Sequence, residues 1–172
     1  MEKTMQLAID VYYYESKAKA VGVLFEWPAE KPNEIISVWC DDIAAYEPGH
    51  FYKRELPCIL DLLAKIDLNR VASILVDGHV YVNNDGTYGL GGHLFEALEG
   101  KTPIIGVAKR AFHQTEDKVT PVLRGKSQTP LYVSAIGCDV QIAAENIKEM
   151  HGDFRFPTLL KILDQETRKN SA

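Results

Sequence analysis

Val71-Ala72-Ser73-Ile74-Leu75-Val76-Asp77-Gly78 is an almost unbroken apolar run that ends on an acid and a glycine. A strand with one wet face alternates apolar and polar residues, whereas this one does not, so it reads as a strand buried on both sides. Asp-Gly then closes it as a turn dipeptide. Buried strands of this kind need helices over them, and the flanking sequence supplies the candidates. Upstream, Leu56, Ile59, Leu60, Leu63 and Ile66 recur at helical spacing and predict an amphipathic helix over 54–66. Downstream, 90–98 predicts a helix stopped by Gly100.

Further out, the N-terminal side is strand-like. Met5, Leu7, Ile9 and Val11 alternate with Gln6, Ala8, Asp10 and Tyr12, and residues 18–27 and 34–40 are further strand candidates at hairpin spacing. These three predict an antiparallel meander. On the C-terminal side, 103–108 and 131–136 read as strands, and 111–129 as a polar loop. Asp139 is the expected N-cap of a helix that ends near Gly152, and Pro157 opens a last helix containing Leu159, Leu160 and Leu163. Strands first, then strands alternating with helices, predict an α/β mixed sheet with flanking helices over residues 1–172 as one domain.

Composition bounds the function. The chain has 172 residues, 46% hydrophobic and 25% charged, with a formal charge of -5, which excludes a polycation that coats nucleic acid by net charge. Cys40, Cys58 and Cys138 are an odd count without C-x-x-C, so they are expected as reduced core fillers in a cytoplasmic protein rather than a disulfide or zinc framework. No apolar stretch is long enough for a membrane span, no signal peptide is expected, and no nucleotide-cofactor fingerprint or Walker A loop is present.

Four carboxylates stand where chemistry is possible. Asp10 interrupts an apolar strand, which is costly unless the charge is solvated, paired or metal-bound. Asp77 ends a buried strand, where α/β sheets place ligands, although Asp-Gly is also an ordinary turn. Glu55 reads as a first-turn helix acid, a position the helix dipole favours without any function. Asp164 lies one turn from Leu160 on the last helix. Taken singly each has a bland reading; together they are the hard oxygen donors that suit Mg²⁺ or Mn²⁺.

Tyr46-Glu47-Pro48-Gly49 followed by Phe51-Tyr52-Lys53-Arg54-Glu55-Leu56-Pro57 resembles the "YIPG…FRE.P" signature of the endonuclease V family. Val76-Asp77-Gly78-His79, Gly89-Leu90-Gly91-Gly92-His93-Leu94, Ile105-Gly106-Val107-Ala108-Lys109 and Pro130-Leu131-Tyr132-Val133-Ser134 are similar to its "VDG-H/Q-G", "GLASHLG", "IGVAK" and "PLYVS" blocks. Ile9-Asp10-Val11 matches its first aspartate block, and Arg155-Phe156-Pro157 through Asp164 its final helix. These blocks come in the family order. The resemblance implies a ribonuclease H-like fold and Mg²⁺- or Mn²⁺-dependent cleavage of DNA or RNA near a deaminated purine, above all inosine. It implies Asp10, Glu55, Asp77 and Asp164 as metal-binding catalytic carboxylates and Lys109 as a catalytic charge beside the scissile phosphate. It further implies Tyr46 as the wedge that replaces the displaced base, Gly78 and Gly106 as points of close backbone approach to that base, and His93 as a substrate-side residue.

The chain also departs from that pattern. Asn83-Asn84-Asp85-Gly86 replaces the usual "HPR", Ala45 and Glu47 flank Tyr46, and Ala135-Ile136-Gly137 replaces "PGH". These changes motivate a rival reading, a non-catalytic or retargeted nucleic-acid-binding relative; a small-molecule phosphoesterase is a third. Six basic residues against two acidic ones in 101–126 (Lys101, Lys109, Arg110, Lys118, Arg124 and Lys126 against Glu116 and Asp117) make that segment a candidate nucleic-acid track.

Overall fold

The computed structural model describes residues 4–28, 30–41, 51–112 and 114–170, with backbone only for 51 and 52. Its strands are β1 (Met5–Tyr13), β2 (Ala18–Phe25), β3 (Glu34–Cys40), β4 (Val71–Asp77), β5 (Ile104–Ala108), β6 (Thr120–Val122) and β7 (Leu131–Ile136). They form one mixed sheet in the order β3-β2-β1-β4-β5-β7-β6. The β1-β2-β3 meander is antiparallel, as expected from the sequence. β4 then pairs parallel with both β1 and β5, and β7 and β6 close the far edge antiparallel.

Helices cover both faces. On one, α1 (Phe51–Leu63) and α2 (Leu90–Ala97) place Cys58, Ile59, Leu62 and Leu94 against Leu7, Ile9, Ile74 and Val76. On the other, α3 (Val140–Glu149) and α4 (Thr158–Thr167) pack Ala143, Ile147, Leu159 and Leu163 against Ala8, Val21, Leu75 and Ile105. Asp139 caps α3 as expected, accepting from the N–H groups of Gln141 and Ile142 at 2.8 and 3.1 Å.

Three expectations are corrected. β1 is not amphipathic, because it is an inner strand with a helix layer on each side: Met5 through Ile9 are all buried, and the buried Gln6 accepts from Ser73 Oγ on β4. The polar 111–129 segment contains β6, whose alternation is too short to stand out. Cys138 is exposed beside the N-cap of α3, so only Cys40 and Cys58 are core fillers.

Polar anchors fix the α3/α4 layer. Lys19, buried within β2, donates to the carbonyls of Glu166 and Lys169 at 2.9 Å each, and Tyr14 donates to that of Thr167 at 2.8 Å. Cations and donors suit a helix C-terminus, whose last carbonyls lack helical partners. Arg124 is also buried and spreads its guanidinium over the carbonyls of Lys148, Met150, Gly152, Phe154 and Arg155. It therefore leaves the basic track and serves as the organiser of the α3–α4 connection.

Removing that guanidinium strands several buried acceptors. Arg124→Ala is expected to lose about 3 kcal/mol of stability in a urea titration. Arg124→Lys is expected to recover only part of it, since one ammonium cannot span the same set of carbonyls. A wild-type midpoint for Arg124→Ala would contradict the anchoring role.

Candidate active site

The register of the parallel strands assembles the site. Ile9 is paired with Val76, so the next residues, Asp10 within β1 and Asp77 at the carboxyl end of β4, emerge side by side. Asp77 is in turn paired with Val107, which puts Lys109 just past the end of β5 on the same side. α4 crosses this end of the sheet. Asp10, Asp77, Lys109 and Asp164 line one cleft together with Phe156, Leu160, Lys161 and Gln165. Its back wall is the apolar sheet surface of Ala8, Leu75 and Val107.

Burial and like charge act together on the acids. Asp10 is raised to about 7, mainly by burial and then by the Asp77 charge, although its carboxylate accepts the Val11 N–H at 2.9 Å. Asp77 stands at the mouth, where solvent reaches it, yet the crowding protein still raises its carboxyl; Lys109 pulls the other way and Asp164 adds to the rise. Asp164 is paired with Arg168 one helical turn on, at 3.2 Å from both carboxylate oxygens. The Lys109 ammonium lies 5.1 Å from the centre of the Phe156 ring. Arg155 donates to the carbonyls of Lys109 and, at 2.8 Å, of Pro130, which fastens the strand end that carries Lys109.

Glu55 arrives differently. α1 begins at Phe51, so Glu55 lies beyond the first turn, and the dipole explanation for its presence lapses. It does not line the cleft but comes from the opposite helix layer. It is raised to about 8 by burial first, then by the charges of Asp10 and Asp77. Next to it, the Arg54 guanidinium lies 3.7 Å from the centre of the Tyr13 ring.

The remaining sequence candidates separate. Gly106 is crowded by its own protein: a Cβ there would lie 2.6 Å from the Gly78 carbonyl and 2.7 Å from Ser134 Oγ, so packing alone requires the glycine. Gly78 has a φ of +149° and open space where a side chain would be. His93 is half-buried on α2, edge-on to Tyr88 with ring centres 5.8 Å apart, and does not line the cleft. Tyr46, with Ala45 and Glu47, lies outside the described residues. Phe156, Lys161 and Gln165 line the cleft without having stood out in the sequence, because nothing in a helix pattern says which face crosses a strand end. Asn83-Asn84 has a structural use. Asn83 Oδ1 accepts from the N–H groups of Asp85 and Thr87, and Asn84 Oδ1 from that of Asp117 at 2.9 Å, closing the loop onto 114–117.

The family model for endonuclease V matches residues 2–165. The chain belongs to the endonuclease V family. An endonuclease V from Thermococcus kodakarensis is 31% identical over 167 residues, covering 96% of this chain and 78% of that protein. Among solved structures, the catalytic domain of human endonuclease V superposes with a TM-score of 0.79 at 21% identity, over 96% of this chain and 81% of that one. Ciona intestinalis endonuclease V, in complex with a DNA containing an inosine followed by a ribo-adenosine, gives 0.77 at 21% identity, over 96% and 84%. These likenesses establish the mixed α/β fold, and membership of the family makes the chain a nuclease.

The raised acids carry a thermodynamic consequence. The folded chain holds protons on Asp10 up to about 7 and on Glu55 up to about 8. The unfolded chain releases them near pH 4. Their contribution to stability is complete below that pH and is lost as pH rises through the folded values. In EDTA, the Tm is expected to fall between about pH 4.5 and 8. Asp10→Asn and Glu55→Gln should each flatten the slope and raise the Tm at the alkaline end; unchanged slopes in both would contradict the burial of these acids.

Proposed function

We propose that this chain hydrolyses a phosphodiester bond near a deaminated purine, inosine above all, in a DNA or RNA strand, with Mg²⁺ or Mn²⁺ held by Asp10, Glu55, Asp77 and Asp164. The observation that carries the reading is the meeting of Asp10, Asp77, Asp164 and Lys109 in one cleft, where β4 and β5 end beside β1. Among the described residues, no three His, Cys, Asp or Glu side chains stand at ligating distance from a common point. The donor set nonetheless fits a hard divalent cation. Its acids raise one another's proton affinity, and a positive charge between them would relieve that repulsion. Asp164 would have to be drawn from Arg168 to join them.

A divalent ion in such a site lowers the proton affinity of a bound water and stabilises the leaving oxygen. The chain's own residues supply the rest. Asp10 and Asp77, fixed by adjacent backbones, would hold the cation with little freedom to lose. Lys109, exposed at the end of β5, offers a compact positive charge to a non-bridging phosphate oxygen. The apolar back wall keeps bulk water from the inner side of the cleft, which strengthens these interactions. The DNA in the Ciona intestinalis complex contains inosine, and the "VDG" and "IGVAK" blocks of this chain agree with a substrate of that kind.

Asp77→Asn keeps the shape of the strand end and removes its charge. Cleavage of an inosine-containing strand in Mg²⁺ or Mn²⁺ is expected to fall at least about 100-fold with an unchanged circular dichroism spectrum. Full activity in this variant would sink the assignment. Wild-type binding without cutting in either ion would favour the non-catalytic alternative.

A further inference from the structure

Phe154 is the most exposed large hydrophobic side chain among the described residues, at 65%. It lies in the connection between α3 and α4, which leads directly to the cleft. The Lys161 ammonium sits over its ring, 4.1 Å from the centre. Lys161 itself lines the cleft, one helical turn before Asp164. The exposed ring is thus tethered to the lip of the acidic site by a cation.

The backbone that carries the ring is held in place. The Phe154 carbonyl accepts from the buried Arg124, and the next residue, Arg155, is tied to the carbonyls of Lys109 and Pro130. A ring left this exposed buries little apolar surface for the fold. Lys109 adds a second exposed positive charge in the cleft that Lys161 lines. Asp153, the neighbouring acid, acts on the buried Arg124.

We infer that Phe154 and Lys161 form a docking platform for single-stranded nucleic acid, the ring stacking on an unpaired base and the ammonium meeting the adjoining phosphate. The inference rests on the nuclease reading above and adds a substrate contact at the lip of the cleavage cleft. An unpaired base offers its π-face to the ring, whereas a duplex base is already stacked on its neighbours. A ring-plus-cation platform therefore selects the strand state over the base sequence. DNA and RNA strands share this chemistry.

Fluorescence anisotropy with labelled 12-residue oligonucleotides tests the platform, using inosine-containing single strands of DNA and of RNA and a DNA duplex, with Ca²⁺ as the only divalent ion. Phe154→Leu is expected to bind the single strands about 10-fold more weakly, with little change on the duplex and no change in Tm. Phe154→Tyr should restore binding. Lys161→Gln should reduce the salt dependence of single-strand binding by about 0.7 in log–log slope. Wild-type affinity in Phe154→Leu, an equal loss on duplex and single strands, or no single-strand binding by the wild type would each overturn the platform. If the wild type shows the Phe154 effect but cuts no inosine-containing strand in Mg²⁺ or Mn²⁺, the platform stands and the cleavage reading falls.

Discussion

The parallel pairing of β1 with β4 is the constraint on which the site depends. Two acids side by side on adjacent strands repel each other, and neither backbone can rotate away without breaking a ladder buried under two helix layers. The apolar packing on both faces therefore forces the charges together, and the site's electrostatics follow from the same registry that builds the core. α4 adds a third acid from above and α1 a fourth from the other layer. The sheet is thus both scaffold and source of strain.

Much of this was readable in the sequence. The continuous run at 71–76 gave a buried strand, the periodicity at 56–66 a helix, and Asp139 a cap. Fold class also follows from element order alone. What pattern cannot provide is which strands become neighbours. β1 read as one-sided because Gln6 falls on what looked like a wet face; only the α3/α4 layer packed over that face shows that it is covered. Asp10 stands where that cover thins, half-buried at the cleft rather than fully solvated or fully enclosed. Glu55 shifted meaning because α1 starts earlier than its apolar periodicity does. Arg124 shows the opposite limit: in sequence it is one of several basic residues, and only tertiary contact turns it from surface charge into a buried organiser.

The cleft also separates two kinds of glycine that the sequence cannot tell apart. Gly106 is required by a close approach of its own chain, so its presence says little about a ligand. Gly78 has a left-handed backbone and free space beside it, so its surroundings remain available to a bound molecule. The same distinction applies to Asn83 and Asn84. Their amides are engaged in building a loop, which accounts for polar residues there without calling on substrate.

Among the described residues, the long polar anchors Lys19, Tyr14, Arg124 and Arg155 grip main-chain carbonyls rather than side chains. A grip on the backbone is indifferent to which residue it holds. Selection can therefore keep the anchors constant while exposed side chains at the gripped positions, such as Lys148 and Lys169, change. Substitutions at such positions alter what the surface presents without loosening what holds it in place.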